Sequence, residues 1–354
     1  MELQALVVSL LSPMVLAFVL GIVATVMKSD LKFPEELYTA LTIYLLVAIG
    51  LKGGYKLSIT PFSEFIYPAI AALVLGVIIP IWSYQILLRM GKFDIANSAA
   101  IAAHYGSVSA VTFGEALAFH DNLKALLVEQ NPQVTQEALK MAGGFYEGFM
   151  PGLLTIMEFP AIIVAILTAR IAYQKAPVAP AGEDVESAQK VSMVKVLNEL
   201  IAGKSNFLML GFLVVGWICG KRGWEQVAPF FDTPFRGILA LFLLEAGLVT
   251  GRRLGDLKKV GGFLVGFGIL MPILHAILGI YFGKLAGLSL GGATILGVLA
   301  ASASYIAAPA ACRVALPQAS PTLYLTASLA ITFPFNIIVG LPLYHYFAKL
   351  LYGT

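Results

Sequence analysis

The chain has 354 residues, of which 59% are hydrophobic and 12% charged, with a mean hydropathy of +0.86 and a formal net charge of +3. Soluble domains carry about 25% charged residues, so this composition excludes an ordinary soluble enzyme and reads as a multispanning membrane protein. Lys and Arg are scattered through short loops without a basic patch, which excludes nucleic acid as a natural partner; Cys219 and Cys312 lie in apolar runs that suggest neither a disulfide framework nor a metal site.

Ten apolar stretches are long enough to cross a hydrocarbon core of roughly 30 Å, at about 5–27, 37–55, 65–89, 95–119, 146–173, 205–221, 235–251, 260–284, 291–315 and 322–351. The first has no basic n-region before it and is read as a spanning helix, not a cleaved leader. The fourth and ninth make poor continuous helices. The fourth contains "AHYGSVSAVTFGEA", and the ninth contains "AASASYIAAPAACRVALP", where Pro309 is expected to interrupt the helix. After the fourth comes a long mixed-charge loop that includes His120; about 121–142 is expected to be an amphipathic helix, on the membrane surface or in solvent. Between the fifth and sixth spans, "QKAPVAPAGEDVESAQK" reads as a linker. The chain therefore divides into a five-helix unit at 1–174, a cytoplasmic linker at 175–204 and a second five-helix unit at 205–354.

The halves match in order. "AIGLKGGYKL" from Ala48 parallels "EAGLVTGRRL" from Glu245, "GSVS" from Gly106 parallels "ASAS" from Ala301, and "MEFPAIIVAI" from Met157 parallels "ITFPFNIIVG" from Ile331. Because each half holds an odd number of spans, the second enters the membrane inverted, the inverted-repeat plan of secondary transporters. Of the 23 Lys and Arg residues, 14 fall on the side reached after the odd-numbered spans, which predicts that this side is cytoplasmic and both termini are outside.

Ser107 and Ser109 would face different ways in a helix but share a face in extended backbone, as would Ser302 and Ser304. Ser-x-Ser therefore predicts two helices that unwind, a conformation tolerated at membrane depth only where protein or a cavity satisfies the freed backbone. Such breaks near the midplane offer N–H donors to an anion, and carbonyl and hydroxyl oxygens to a small cation. The same small residues would also serve close helix packing. Glu115, Glu158 and Glu245 fall in or near apolar spans, where a charge is costly. Glu158, just before Pro160, is the candidate for ligating sodium or carrying a proton, whereas Glu245 suggests a structural role. His104, His275 and His345 lack ligand spacing, and His120 reads as a loop residue.

In order, "LSPMVLAFVLGIVA", "YLLVAIGLKGG", "GSVSAVT", "YEGFMPGLLTIMEFPAIIVAIL", "PFRGILALFLLEAGL" and "AASASYIAAPAACRVALP" resemble the sodium-dependent bicarbonate transporter family of cyanobacteria, from Leu11 to about Tyr346. The resemblance implies an all-α membrane fold of ten spans in two inverted repeats, with a core and a gate domain each drawn from both repeats. It also implies a homotrimer in the inner (plasma) membrane and bicarbonate uptake coupled to sodium. By position it assigns substrate binding to Gly106, Ser107, Val108, Ser109, Ala301, Ser302, Ala303 and Ser304, and ion coupling to Glu158, Ser109, Ser304 and Tyr305. Glu158 stands where the family has an aspartate. In the second cluster, the family's further serine and following aspartate are replaced by Ala303 and Tyr305, a departure that bears on sodium coordination and anion preference. A PII-like regulatory partner on the cytoplasmic face also follows from the resemblance, though the linker here is shorter than in those relatives. The expected activity is sodium-driven import of bicarbonate by an elevator motion, with no cofactor other than sodium. Other readings are a proton- or sodium-coupled carrier of another small organic anion, and an anion channel. An enzyme would need a cluster of His, Asp or nucleophilic residues, or a sizeable soluble domain, and the sequence offers neither.

Overall fold

A computed structural model describes residues 10–175 and 193–354. The expectations for the chain's first residues and for most of the linker fall outside this range. Among the described residues the regular secondary structure is all helical, without a strand. In chain order the helices are α1 (Pro13–Val26), α2 (Glu35–Ser58), α3 (Phe62–Arg89), α4 (Ile95–Gly106), α5 (Ala110–Gln130), α6 (Gln136–Ala142) and α7 (Met150–Lys175), then α8 (Met193–Ala202), α9 (Lys204–Phe231), α10 (Phe235–Arg253), α11 (Leu257–Leu285), α12 (Leu290–Ala301), α13 (Ala307–Ala315) and α14 (Pro321–Tyr352). Six apolar segments are long enough to cross a membrane, one of them running from Phe235 to Leu285 through the 3-10 turn Leu254–Asp256 that separates α10 from α11; α1 and α12 are shorter apolar helices.

Four sequence expectations change. His120 lies on no loop: α5 continues to Gln130, and the imidazole is buried, its Nδ1 2.7 Å from the Gly143 carbonyl and its ring 5.7 Å from that of His345. The amphipathic stretch at 121–142 is thus the tail of α5 followed by the short α6. Pro309 does not interrupt a helix. The break precedes it, and Pro309 sits in the first turn of α13, where backbone N–H groups have no helical partner to lose. The sixth span runs past Lys221 and Arg222 to Phe231, with a bend at Gly220 (φ 57°), a left-handed conformation suited to glycine.

The four helices that open the two halves pack together, α2 on α9 and α10 on α1, with α2 also against α10. Glycine sets both main crossings. A Cβ on Gly247 would collide with the Phe18 carbonyl, and one on Gly21 with the Leu244 carbonyl. A Cβ on Gly54 would strike the Leu213 carbonyl, and on Gly50 would come within 2.8 Å of the Met209 carbonyl. Such backbone contact without side chains is the usual means of tight association in lipid, where apolar burial provides no driving force between helices. Gly50 and Gly247 occupy matching positions in the two halves and make matching contacts, each against the first span of the other half.

A second group packs α3 on α4 and α7, and α11 on α12, α14 and α3. Here Gly76 meets the Met157 carbonyl and Pro160, and Gly279 lies against Gly297. The α7 helix continues through Pro160. Within α14, residues Thr326–Thr332 and Asn336–Gly340 are wound as π-helix, a widened turn that is frequent at functional sites. Glu245 forms an ion pair with Arg252 at 2.9 Å, a structural role.

Glu147 ties the loop before α7 to the N-terminus of α12. Its carboxylate accepts from the Ser289 backbone N–H at 2.8 Å and the Ser289 hydroxyl at 3.1 Å, while Ser289 caps Gly292. Burial pushes the Glu147 carboxyl above the usual carboxylate range, the bonds from Ser289 opposing this in part. A raised folded-state pKa means that the group's contribution is complete below the unfolded pKa and is lost as pH rises through the folded one. Glu147→Gln, which mimics the neutral acid, is therefore expected to remove this loss of stability with rising pH, while Glu147→Ala lowers stability throughout; melting in detergent across pH checks both. Gly247→Leu must separate α10 from α1, at a cost above the about 1–3 kcal/mol of ordinary overpacking, and is expected to yield aggregated protein in size-exclusion chromatography.

Candidate functional site

The two Ser-x-Ser segments are both unwound and they touch. The α4 helix, capped at its start by Asp94, ends at Gly106, and Ser107 (φ −83°, ψ 169°) and Ser109 (φ −109°, ψ 113°) are extended before α5 begins. The α12 helix, also of 12 residues and capped by Ser289, ends at Ala301, and Ser302 is extended (φ −78°, ψ 161°) before α13 begins at Ala307. The Ser302 hydroxyl accepts from the Ser109 N–H at 2.9 Å, and the Ser304 N–H donates to the His104 carbonyl at 2.8 Å. These reciprocal bonds satisfy backbone groups that lipid could not.

The hydroxyls are used unequally. Ser302 donates to the Leu299 carbonyl at 2.8 Å as well as accepting from Ser109. Ser109 caps α5 by accepting from Thr112, and Ser304, two residues before the N-cap position of α13, accepts from Ala308, each at 3.2 Å. As acceptors they keep their own hydrogens. The Ser107 hydroxyl is fully buried and has no protein partner. Val108 and Ala303 are buried beside them.

Glu158 lies on α7, one turn before Ala161. A Cβ on Gly106 would meet Ala161 at 3.0 Å and Pro80 at 2.7 Å, so α7 and α3 press directly on the first break. The Glu158 side chain is buried and its Oε2 has no protein partner. Tyr305 follows the second break with its hydroxyl near Ser109 but not hydrogen-bonded; its ring packs edge-on to Phe333, which in turn packs on Phe18 of α1, at 5.3 Å in both cases. Glu115 is two turns along α5, away from the break. His275 accepts from the Trp82 indole at 2.8 Å, and among the described residues no cluster of three or more His, Cys, Asp or Glu could hold a metal ion.

Several residues at the crossing were not singled out from sequence. The Asn336 amide donates to the Ala301 carbonyl at 2.9 Å and accepts from Tyr344 at 2.7 Å, so a π-turn of α14 meets a carbonyl freed by the break. Thr332 donates to the Gly268 carbonyl at 2.7 Å, leaving Tyr105 as donor in the 2.6 Å bond between Tyr105 and Thr332. His104, which the sequence marks as a histidine without ligand spacing, has its Nδ1 2.6 Å from the Ala100 carbonyl and its ring stacked on Tyr324, and its Nε2 has no protein partner. One signal was available for Thr332: in the match of "MEFPAIIVAI" with "ITFPFNIIVG" it occupies the position of Glu158.

A buried crossing of two interrupted helices, with the unpartnered Ser107 hydroxyl in it and the unpartnered Glu158 Oε2 on a helix that presses on it, suits a small ion better than a reacting substrate. A search of curated proteins finds no match. A family model, the Na+-dependent bicarbonate transporter superfamily, matches residues 13–349, nearly the whole chain, and the protein belongs to that superfamily.

Proposed function

We propose that the protein imports bicarbonate together with sodium, holding both at the crossing of α4–α5 with α12–α13. The observation that carries this reading is the reciprocal bonding of the two breaks, Ser109 N–H to Ser302 and Ser304 N–H to the His104 carbonyl, which brings both serine clusters into one buried place. Bicarbonate is small, planar and singly charged. Backbone N–H groups at the starts of α5 and α13, with the hydroxyls of Ser107, Ser109 and Ser304, can hold it without an Arg clamp. The carboxylate of Glu158 and nearby freed carbonyls supply hard oxygen ligands of the kind that sodium takes. With an acid absent at Tyr305, Glu158 is the principal candidate for coupling.

The matched glycine crossings and the matched 12-residue broken helices support ten spans arranged as two inverted repeats. In this reading α1, α2, α9 and α10 form a static gate domain, and the group containing both breaks forms a core domain that moves along it as an elevator. The excess of Lys and Arg after odd-numbered spans supports a multi-pass inner-membrane protein with outward termini. A homotrimer and a PII-like partner rest on the family alone.

Uptake of radiolabelled bicarbonate into proteoliposomes is expected to rise with an inward sodium gradient; equal uptake with and without the gradient overturns the proposal. Two substitutions separate binding from folding. Ser107→Val removes a hydroxyl with no protein partner, so transport should drop while the melting temperature stays near wild type. Ser302→Val strands the Ser109 N–H, at a cost of about 1–3 kcal/mol, so transport and stability should fall together.

A further inference from the structure

At the membrane face bearing the α9–α10 turn, a cavity of about 270 Å³ opens between the two packing groups, with Lys52, Asp121, Tyr146, Asp232, Thr233 and Arg236 among its lining residues. The count of positive charges puts this face outside. Its charges are arranged unequally. Lys52 and Asp232, from α2 and the turn, are paired at 2.7 Å on the same side of the cavity. Arg236, in the first turn of α10, reaches across to α5, where it bonds Asn122 at 2.8 Å and approaches Asp121 at 3.4 Å. Asp121 is held in turn by the Tyr146 hydroxyl at 3.0 Å.

We propose that Arg236 is the residue that first captures the transported anion, by exchanging Asp121 for it. This rests on the reading of the protein as a bicarbonate importer. Three features support the exchange. The guanidinium is a planar fork that takes two oxygens at once, and bicarbonate presents the same pair of oxygens as a carboxylate. Asp121 meets Arg236 at the long distance of 3.4 Å, and the side chains of the pair are 38% and 46% exposed, so the bond being replaced is a weak, solvent-screened one. Arg236 also sits in the first turn of α10, a 19-residue helix whose N-terminus has no side-chain cap, so the positive end of the helix dipole lies on the same side as the guanidinium. Because Asp121 belongs to α5 and Arg236 to α10, the exchange loosens one of two polar ties between the group that carries both breaks and the group proposed to stay still, the bond to Asn122 remaining.

The test is sodium-driven uptake of radiolabelled bicarbonate in whole cells, measured against bicarbonate concentration. Arg236→Gln is expected to raise KM by about tenfold, with the maximal rate within about twofold of wild type. Arg236→Lys, which keeps the charge and loses the fork, should fall between the two. Asp121→Asn, which frees the guanidinium, should lower KM. An unchanged KM in Arg236→Gln overturns the proposal, and so does a KM that rises equally in Asp121→Asn, because the intact ion pair would then be what matters. If Arg236→Gln fails to elute as a single species in detergent, the opposite shifts of Arg236→Lys and Asp121→Asn decide. Absence of sodium-driven uptake by the wild type counts against the proposed function instead.

Discussion

The fold depends on one constraint: a helix interrupted inside a membrane must find partners for its freed backbone groups within the protein. Each break here supplies the other's needs. The Ser109 N–H goes to Ser302, the Ser304 N–H to the His104 carbonyl, and the freed Ala301 carbonyl to Asn336 on a π-turn of α14. The surrounding architecture makes this exchange geometrically possible. Gly106 lets α4 end directly against Pro80 and Ala161, and the caps Asp94 and Ser289 start both broken spans with the same length of first helix. Once the backbone is satisfied in this way, the Ser107 hydroxyl and the Glu158 Oε2 are left without protein partners.

Much of this was legible in the sequence because it rests on local chemistry. Ser-x-Ser with flanking small residues specified extended backbone at both breaks, since side chains two apart share a face only there. The ordered matches pointed to Gly50 and Gly247 as equivalents, and their contacts are equivalent. Other features needed three dimensions. Pro309 as a helix breaker was a reasonable inference from its missing N–H, yet a proline in a first turn has no bond to lose, and only the position of the break decides between the two. His120 looked like a loop residue because charged neighbours follow it; burial against Gly143 and His345 is set by α6 folding back, which no local pattern encodes. Asn336 and Thr332 lie in an apolar run whose π-winding turns them toward the crossing, and helical periodicity assumes the regular 3.6-residue turn.

The contacts also divide by kind. Within the α1, α2, α9, α10 group, backbone lies on backbone through glycine. Between that group and the rest, the contacts include aromatic edges such as Phe18 on Phe333, a buried Thr250 hydroxyl bonded to the Leu329 carbonyl, the exposed Arg236 pair, and Gly53 of α2 pressed on the Pro151 ring of α7. Aromatic edges can shift against one another with little directional loss, whereas interlocked backbones cannot. The seam between the two groups therefore relies less on interlocked backbone than the packing within the first group, with Gly53 on Pro151 its tightest glycine contact.

The glycine crossings have a consequence for how variation in this chain would be read. Gly21, Gly54, Gly216 and Gly247 each have backbone where a side chain would go, so almost any replacement there unfolds the protein. The Ser107 hydroxyl, by contrast, has no protein partner. A survey of substitutions scored by protein abundance would mark out the frame and pass over the proposed ion site, which would emerge only in a survey scored by transport.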